Sequence, residues 1–355
     1  MDWLEEVTTR QADTILANSN FTARIFKTYF PSIHHTPTIV YPGINLDAYQ
    51  AETNTSDSDV ASVLSARPTL ISLNRFEGKK NIILALEAFA RLKSRSSQNS
   101  TSSLRLVLAG GYDPRLEDNI QVLDKIQALA KTLSLSYSII SPSPLPSGLP
   151  TTSCPEPDVL ILLNFTTAQR TALLRSPSTL ALLYTPENEH FGIVPIEAMA
   201  CGVPVLACDS GGPLESILSL PPSEKSSSAN SQPRTGWLRK PDPEVWAAAL
   251  EEILALTSEE RKAISETAKD RATKLFGMEA MAKGLEDALE NAVKMGPRMG
   301  IYQLNRGAGS RYLQIRGSGP KSSSLISFEI AVIYDLWWTD HHMPLGTPPR
   351  TFVAN

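Results

Sequence analysis

Ala181-Leu182-Leu183-Tyr184-Thr185-Pro186-Glu187-Asn188-Glu189-His190-Phe191-Gly192-Ile193-Val194-Pro195-Ile196-Glu197-Ala198-Met199-Ala200 is an apolar run, a polar loop and an apolar helical period in immediate succession. The run is too short and continuous for a surface helix and reads as a strand buried on both faces. The loop therefore lies beyond a strand's carboxyl end, where ligands of open α/β sheets collect. Gly192 permits close backbone approach, and a helix starting there aims unpaired N–H groups at an anion. Glu189 precedes that helix and Glu197 lies within it, both able to accept hydrogen bonds from sugar hydroxyls. Amides on a phosphate and carboxylates on sugar rings describe a nucleotide-sugar site.

The same alternation runs outward in both directions. Strands are expected at 69–73, 104–109, 158–163, 179–183 and 204–207, with helices at 80–92, 119–133, 167–175, 192–200 and 212–218. Strands alternating with helices predict an α/β fold, a Rossmann-like parallel sheet with helices on both faces. Helices at 243–256, 258–275 and 278–294 follow. Upstream, residues 3–29 read as a helix, a strand at Thr14–Ala17, and a helix capped by Asn18 or Ser19 and stopped by Pro31. Thr38–Tyr41 is extended and 51–63 reads as a loop. The Ser- and Pro-rich stretches 94–103, 142–153 and 222–232 read as surface insertions.

Two cations complete the site. Ser72-Leu73-Asn74-Arg75-Phe76-Glu77-Gly78-Lys79-Lys80-Asn81 leaves one strand and enters the next helix. Arg75 offers a directional fork and Lys80 a mobile point charge for a diphosphate. Gly110-Gly111 and Ser210-Gly211-Gly212 mark two more loops at the same sheet edge, as ligand contacts or as ordinary tight turns. His190 either packs beside Phe191 or reaches a ligand. Cys201 and Cys208 read as core-filling side chains.

Composition excludes several alternatives. The chain of 355 residues is 42% hydrophobic and 20% charged, enough for a packed core, and its net charge of −4 leaves no footprint for nucleic acid. Three cysteines without a CxxC pattern suggest neither a disulfide framework nor a zinc knuckle. The pairs His34-His35 and His341-His342 have no spaced acidic partners, so no metal site is expected. Neither a phosphate-binding GxxxxGK[ST] loop nor a dinucleotide fingerprint is present, which removes ATPase and hydride-transfer readings. No signal peptide or membrane-spanning run is visible. The last sixty residues change character: net charge is −7 before residue 296 and +3 after it. Only Leu325–Trp338 is apolar there, and Trp337-Trp338 keeps a membrane-contacting element open beside a poorly ordered tail.

Together these stretches resemble the retaining GT-B glycosyltransferases of family 4, which carry an E-x7-E signature. Glu189 and Glu197 match that spacing, and Arg75 and Lys80 match the family's basic pair. Within the family, Ser72–Glu77, Asn188–Met199, Gly202-Val203-Pro204-Val205 and Ser210–Ile217 resemble the alpha-1,3/1,6-mannosyltransferases of dolichol-linked oligosaccharide assembly. The resemblance implies GDP-mannose as donor substrate, no cofactor and no metal. It implies an acceptor of mannosylated chitobiose on dolichyl diphosphate, extended by an α-1,3 and then an α-1,6 mannose at the cytosolic face of the endoplasmic reticulum membrane. Peripheral membrane contact and association with other glycosyltransferases of the pathway would go with that setting.

By the same resemblance Arg75 and Lys80 hold the diphosphate and Glu189 contacts the mannose. Glu197 binds the ribose, while backbone around Phe191, Gly192 and Ile193, with His190, Gly110 and Gly111, lines the donor pocket. Retention implies attack from the face the GDP leaves. The match covers roughly residues 2–294 and assigns 1–43 to the end of an acceptor-side first domain, 44–277 to the donor domain, 278–295 to a crossover helix and 296–355 to an atypical tail. The glycine-rich loop and acceptor residues of a first domain have no counterpart. Weak donor binding with impaired turnover is therefore expected, the alternative being a catalytically silent donor-domain fragment that serves as an interaction or scaffolding protein.

Overall fold

The computed structural model describes residues 2–50, 53–95, 103–142, 154–220, 233–295 and 330–333. Most of the three expected insertions, and the tail apart from four residues, lie outside the described residues.

In chain order the strands are β1 (Thr14–Ala17), β2 (Thr38–Ile39), β3 (Thr69–Leu73), β4 (Arg105–Gly110), β5 (Tyr137–Ile140), β6 (Val159–Leu163), β7 (Thr179–Tyr184), β8 (Val205–Cys208), β9 (Gly236–Arg239) and β10 (Ile330–Ile333). The helices are α1 (Asp2–Thr9), α2 (Asn20–Tyr29), α3 (Ser58–Val63), α4 (Ile82–Arg95), α5 (Glu117–Thr132), α6 (Thr167–Arg175), α7 (Ile193–Ala200), α8 (Pro213–Ser216), α9 (Pro243–Leu254), α10 (Ser258–Phe276) and α11 (Met278–Met295). The chain divides into two units, one of residues 1–40 and 287–355 and the other of residues 41–286.

In the first unit, three parallel strands run in the order β10-β1-β2. Ser19 caps α2 by accepting from the Thr22 N–H at 2.9 Å, satisfying one of the free amides of the helix start. Phe26, Phe30, Ile15, Ile33 and Ala12 form this unit's small core.

The second unit is a seven-stranded parallel sheet in the order β5-β6-β4-β3-β7-β8-β9. Every residue of β3, β4 and β6 is buried, as expected for continuous apolar runs covered on both sides. Alternate residues serve opposite faces. Leu70, Leu106 and Leu183 join Phe89, Trp237 and Trp246 in one core, while Ile71, Val107 and Leu182 join Ile196, Met199 and Phe276 in the other. The doubly covered parallel sheet expected from the sequence is present. From β3 the chain lays down β4, crosses to the edge strand β5, fills β6 in between them, then returns to the other side of β3 to lay down β7, β8 and β9. The strand order thus reverses between β3 and β7, and loops leaving these neighbours diverge to open a crevice.

Three local expectations are corrected. Residues 58–63 are helical, not loop, because Asp57 caps them by accepting from the Asp59 N–H at 2.8 Å. The helix expected over 212–218 is only Pro213–Ser216, since Ile217 is extended. Strands β5 and β9 were not anticipated: each has four residues and lies at a sheet edge, with Ser138 or Arg239 breaking the apolar run.

Candidate active site

The site is built from loops at the carboxyl ends of β3, β4, β7 and β8. Asn74, just past β3, ties three of these ends together. Its N–H donates to Ala109 O at 2.9 Å, and its side-chain amide donates to Ser72 Oγ at 3.1 Å and Thr185 Oγ1 at 3.4 Å. Gly110 is required by this stitch, because a Cβ there would stand 1.8 Å from Asn74 O. Phe76, fully buried, anchors the following turn, and its N–H donates to Gly111 O at 3.0 Å. Gly111 faces the Arg75 side chain, with room for a Cβ 3.5 Å from Arg75 Cγ.

The two cations meet different acids. The Lys80 ammonium lies 2.5 Å from Glu189 Oε2, and the Lys80 carbonyl accepts from Thr185 Oγ1 at 2.6 Å. Both side chains of the pair are largely shielded, 13% and 20% exposed. Tyr184 also donates to Glu189 Oε2 at 3.4 Å. Arg75, 44% exposed, pairs with Glu77 at 2.9 Å. Lys80 of the β3 loop and Glu189 of the β7 loop are thus brought together across the crevice, and Arg75 stands over the β4 loop.

The loop carrying Glu189 has a backbone template. Gly212 N–H donates to Glu189 O at 2.7 Å, and Asn188 N–H donates to Ser210 Oγ at 3.0 Å. A Cβ on Gly211, whose φ is +66°, would sit 2.3 Å from Glu189 O, and one on Gly212 would sit 2.3 Å from Phe191 O. These glycines let two loops pack main chain to main chain. Gly192, with φ 84°, opens α7 without a side-chain cap, leaving the helix-start amides to the crevice. Phe191 is stacked on Tyr41 at 5.8 Å and edge-on to Phe276 at 5.6 Å. His190 is buried, whereas Ile193 at the start of α7 is 37% exposed.

Glu197 is 6% exposed on α7. Its Oε1 accepts from Tyr49 OH at 2.6 Å and from Arg170 Nη1 at 2.7 Å, and the Arg170 guanidinium lies 5.5 Å over the Tyr49 ring. Burial raises the Glu197 carboxyl above its ordinary range, opposed by the Tyr49 hydrogen bond and the Arg170 charge. Burial, and then Glu197 itself, raise the Tyr49 phenol. Sequence reasoning missed Tyr49 and Arg170, which lie 148 and 27 residues from Glu197 in the chain. No local pattern marks either residue; only the fold delivers them.

Residues 157–271 match the family described as glycosyl transferases group 1. Solved structures agree on the fold. Sucrose-phosphate synthase from Thermosynechococcus elongatus aligns with TM-score 0.59 at 21% identity, over 83% of this chain and 62% of that one. HepE of Anabaena with UDP-glucose aligns with TM-score 0.54 at 18% identity, over 81% and 65%. Sheet, crevice and motif therefore agree with a group 1 glycosyltransferase domain over residues 157–271, set in a fold of the GT-B donor-side kind.

Curated relatives narrow the match to the alpha-1,3/1,6-mannosyltransferases ALG2. The chain is 38% identical to that of Rhizomucor pusillus over 289 residues, 81% of this chain and 59% of the relative. It is 34% identical to that of Saccharomyces cerevisiae (82% and 56%) and 35% identical to that of Homo sapiens (72% and 53%). The resemblance read from the motifs is borne out, for a chain that spans somewhat more than half the length of these relatives. Among the described residues, no helix is long and apolar enough to cross a membrane, and no three His, Cys, Asp or Glu side chains group as a metal would require.

Proposed function

We propose that the crevice between β3 and β7 binds GDP-mannose and that the protein transfers its mannose to a dolichyl-diphosphate-linked mannosyl chitobiose, first α-1,3 and then α-1,6. The observation that carries this reading is the Lys80–Glu189 contact of 2.5 Å, which places a cation and a sugar-accepting carboxylate side by side next to the start of α7. The Lys80 ammonium and the α7 amides neutralise the diphosphate, most strongly as negative charge develops on it during departure. Arg75 reaches the same group from the β4 side. Glu189 accepts from mannose hydroxyls and so fixes the ring. Glu197 accepts from the nucleotide ribose. The acceptor hydroxyl then attacks the face that GDP leaves and passes its proton to the departing diphosphate, preserving the α configuration.

Similarity to alpha-1,3/1,6-mannosyltransferases supports the transferred sugar and the linkages. The same reading places the protein at the cytosolic face of the endoplasmic reticulum membrane, in peripheral contact with it and beside other glycosyltransferases of the pathway.

Calorimetric titration with GDP-mannose and UDP-glucose tests the reading. GDP-mannose is expected to bind selectively, and Lys80→Ala to weaken it about 10- to 100-fold, the value of one charge-assisted contact to phosphate. Equal binding of the two donors would refute the donor assignment, and binding indifferent to Lys80 would refute the site. Mannose transfer to a synthetic lipid-linked acceptor then reads the reaction itself. Partner binding without any nucleotide selectivity would instead favour the scaffolding alternative.

A further inference from the structure

Glu197 is held in a way that a simple helix-face acid is not. Tyr49 comes from the turn Leu46–Tyr49, Arg170 from α6 and Glu197 from α7, and all three converge on one carboxylate oxygen. Oε1 receives both bonds, and no described residue donates to Oε2. The cluster is not arranged for stability. It buries a carboxylate and a phenol against a half-buried guanidinium, whose Nε is itself buried without an acceptor. Groups desolvated this way beside a specific charge partner mark candidate ligand-binding positions.

On the reading of the crevice as a nucleotide-sugar site, we infer that Tyr49 and Arg170 are positioning residues that clamp Glu197 through Oε1 and so reserve Oε2 for the hydroxyl pair of the donor's ribose. The division of labour follows from hydrogen-bond capacity. An ionised carboxylate only accepts, and vicinal ribose hydroxyls are donors that need a fixed acceptor. A carboxylate free to rotate would lose part of its hydrogen-bond strength in ordering each time a donor arrived. Arg170 also sets a positive charge against Glu197 that opposes the effect of burial, and its stacking over Tyr49 holds the two donors as one unit. Neither residue touches the ligand; both act through Glu197.

The test compares GDP with 2′,3′-dideoxy-GDP, which lacks only the two ribose hydroxyls, by calorimetry on the full chain. The native protein is expected to prefer GDP by about tenfold, one charge-assisted bond's worth. Tyr49→Phe and Arg170→Gln are expected to cut that preference to two- or threefold while leaving dideoxy-GDP affinity within twofold. Arg170→Lys, which keeps the charge, should recover part of it. A merely structural role would weaken both nucleotides alike, and that result overturns the inference, as does a preference unchanged in both variants. Tyr49→Phe removes a single oxygen and decides the matter by itself where Arg170→Gln does not fold. Failure of the underlying reading looks different: the native protein would not bind GDP, or Glu197→Ala would keep the full preference.

Discussion

Lys80 and Glu189, 109 residues apart in the chain, close to 2.5 Å across the point where the sheet's strand order reverses. The pair has two consequences of opposite sign for nucleotide binding. On the proposed reading Lys80 exchanges its carboxylate partner for phosphate, so Glu189 competes with a ligand that carries no sugar. Glu189→Gln is therefore expected to bind GDP about 3- to 10-fold more tightly than the native protein, whereas Lys80→Ala binds it about 10- to 100-fold more weakly. Mannose transfer should fall in both. Calorimetry with GDP checks the opposite signs; a Glu189→Gln protein that lost GDP affinity would show that the two side chains do not compete.

The two glycines after β4 are expected to behave differently although they are adjacent. Gly110→Ala forces a Cβ to within 1.8 Å of Asn74 O, a clash with backbone that no rotamer relieves, while in Gly111→Ala the nearest atom is Arg75 Cγ at 3.5 Å, an ordinary contact. Urea denaturation should show a loss of order 3 kcal/mol for the first and a change within about 0.5 kcal/mol for the second. Equal losses would mean that the β3–β4 loop packing is not the reason for Gly110.

Glu197 makes stability depend on pH in a defined direction. Its carboxyl is raised in the folded state, chiefly by burial, so the folded protein holds that proton more tightly than the unfolded chain. The favourable contribution is complete below the unfolded carboxyl range and is lost as pH rises through the folded value. Glu197→Gln removes the titration and keeps an acceptor for Tyr49 and Arg170. The variant's melting temperature relative to the native protein should therefore shift in its favour between pH 4 and pH 7. A difference that moves the other way would show that Arg170 outweighs desolvation.

Burial pushes the thiol of Cys201 up to about 11 and that of Cys208 up to about 12. At pH 8 thiolate is scarce at both positions. Alkylation by iodoacetamide should be at least ~100-fold slower at these two residues in the folded protein than in the same protein in urea, read by mass spectrometry of the peptides. Rapid labelling of Cys201 in the native state would contradict the packing of this half-buried residue, at the end of α7, against the helix–sheet core.

What could be read from the chain, and what could not, divides along physical lines. The strands β3, β4, β6 and β7 were legible because sheet strands buried on both faces must be continuous apolar runs. Glu189, Lys80 and Gly192 were legible because each follows such a run and precedes a helix. Their meeting follows from strand order, so the motif spacing carried information about the crevice. Tyr49 and Arg170 carried none: a lone tyrosine in a turn and a lone arginine on a helix have no pattern until the fold sets them against Glu197. The edge strands β5 and β9 were lost for a related reason, since at a sheet margin a serine or an arginine costs little and interrupts the apolar signal. Asp57 capping α3 was a local cue in a polar stretch that composition alone assigned to loop.

Tyr41, Phe191 and Phe276 stack behind the turn that opens α7, with ring centroids 5.3–5.8 Å apart. A turn buttressed by three rings is already in its working shape, which separates its scaffold from its chemistry. Ile193 and Leu214 remain outward-facing and are not tied into that buttress. Either side chain can therefore be exchanged while the main chain of the turn keeps its mould.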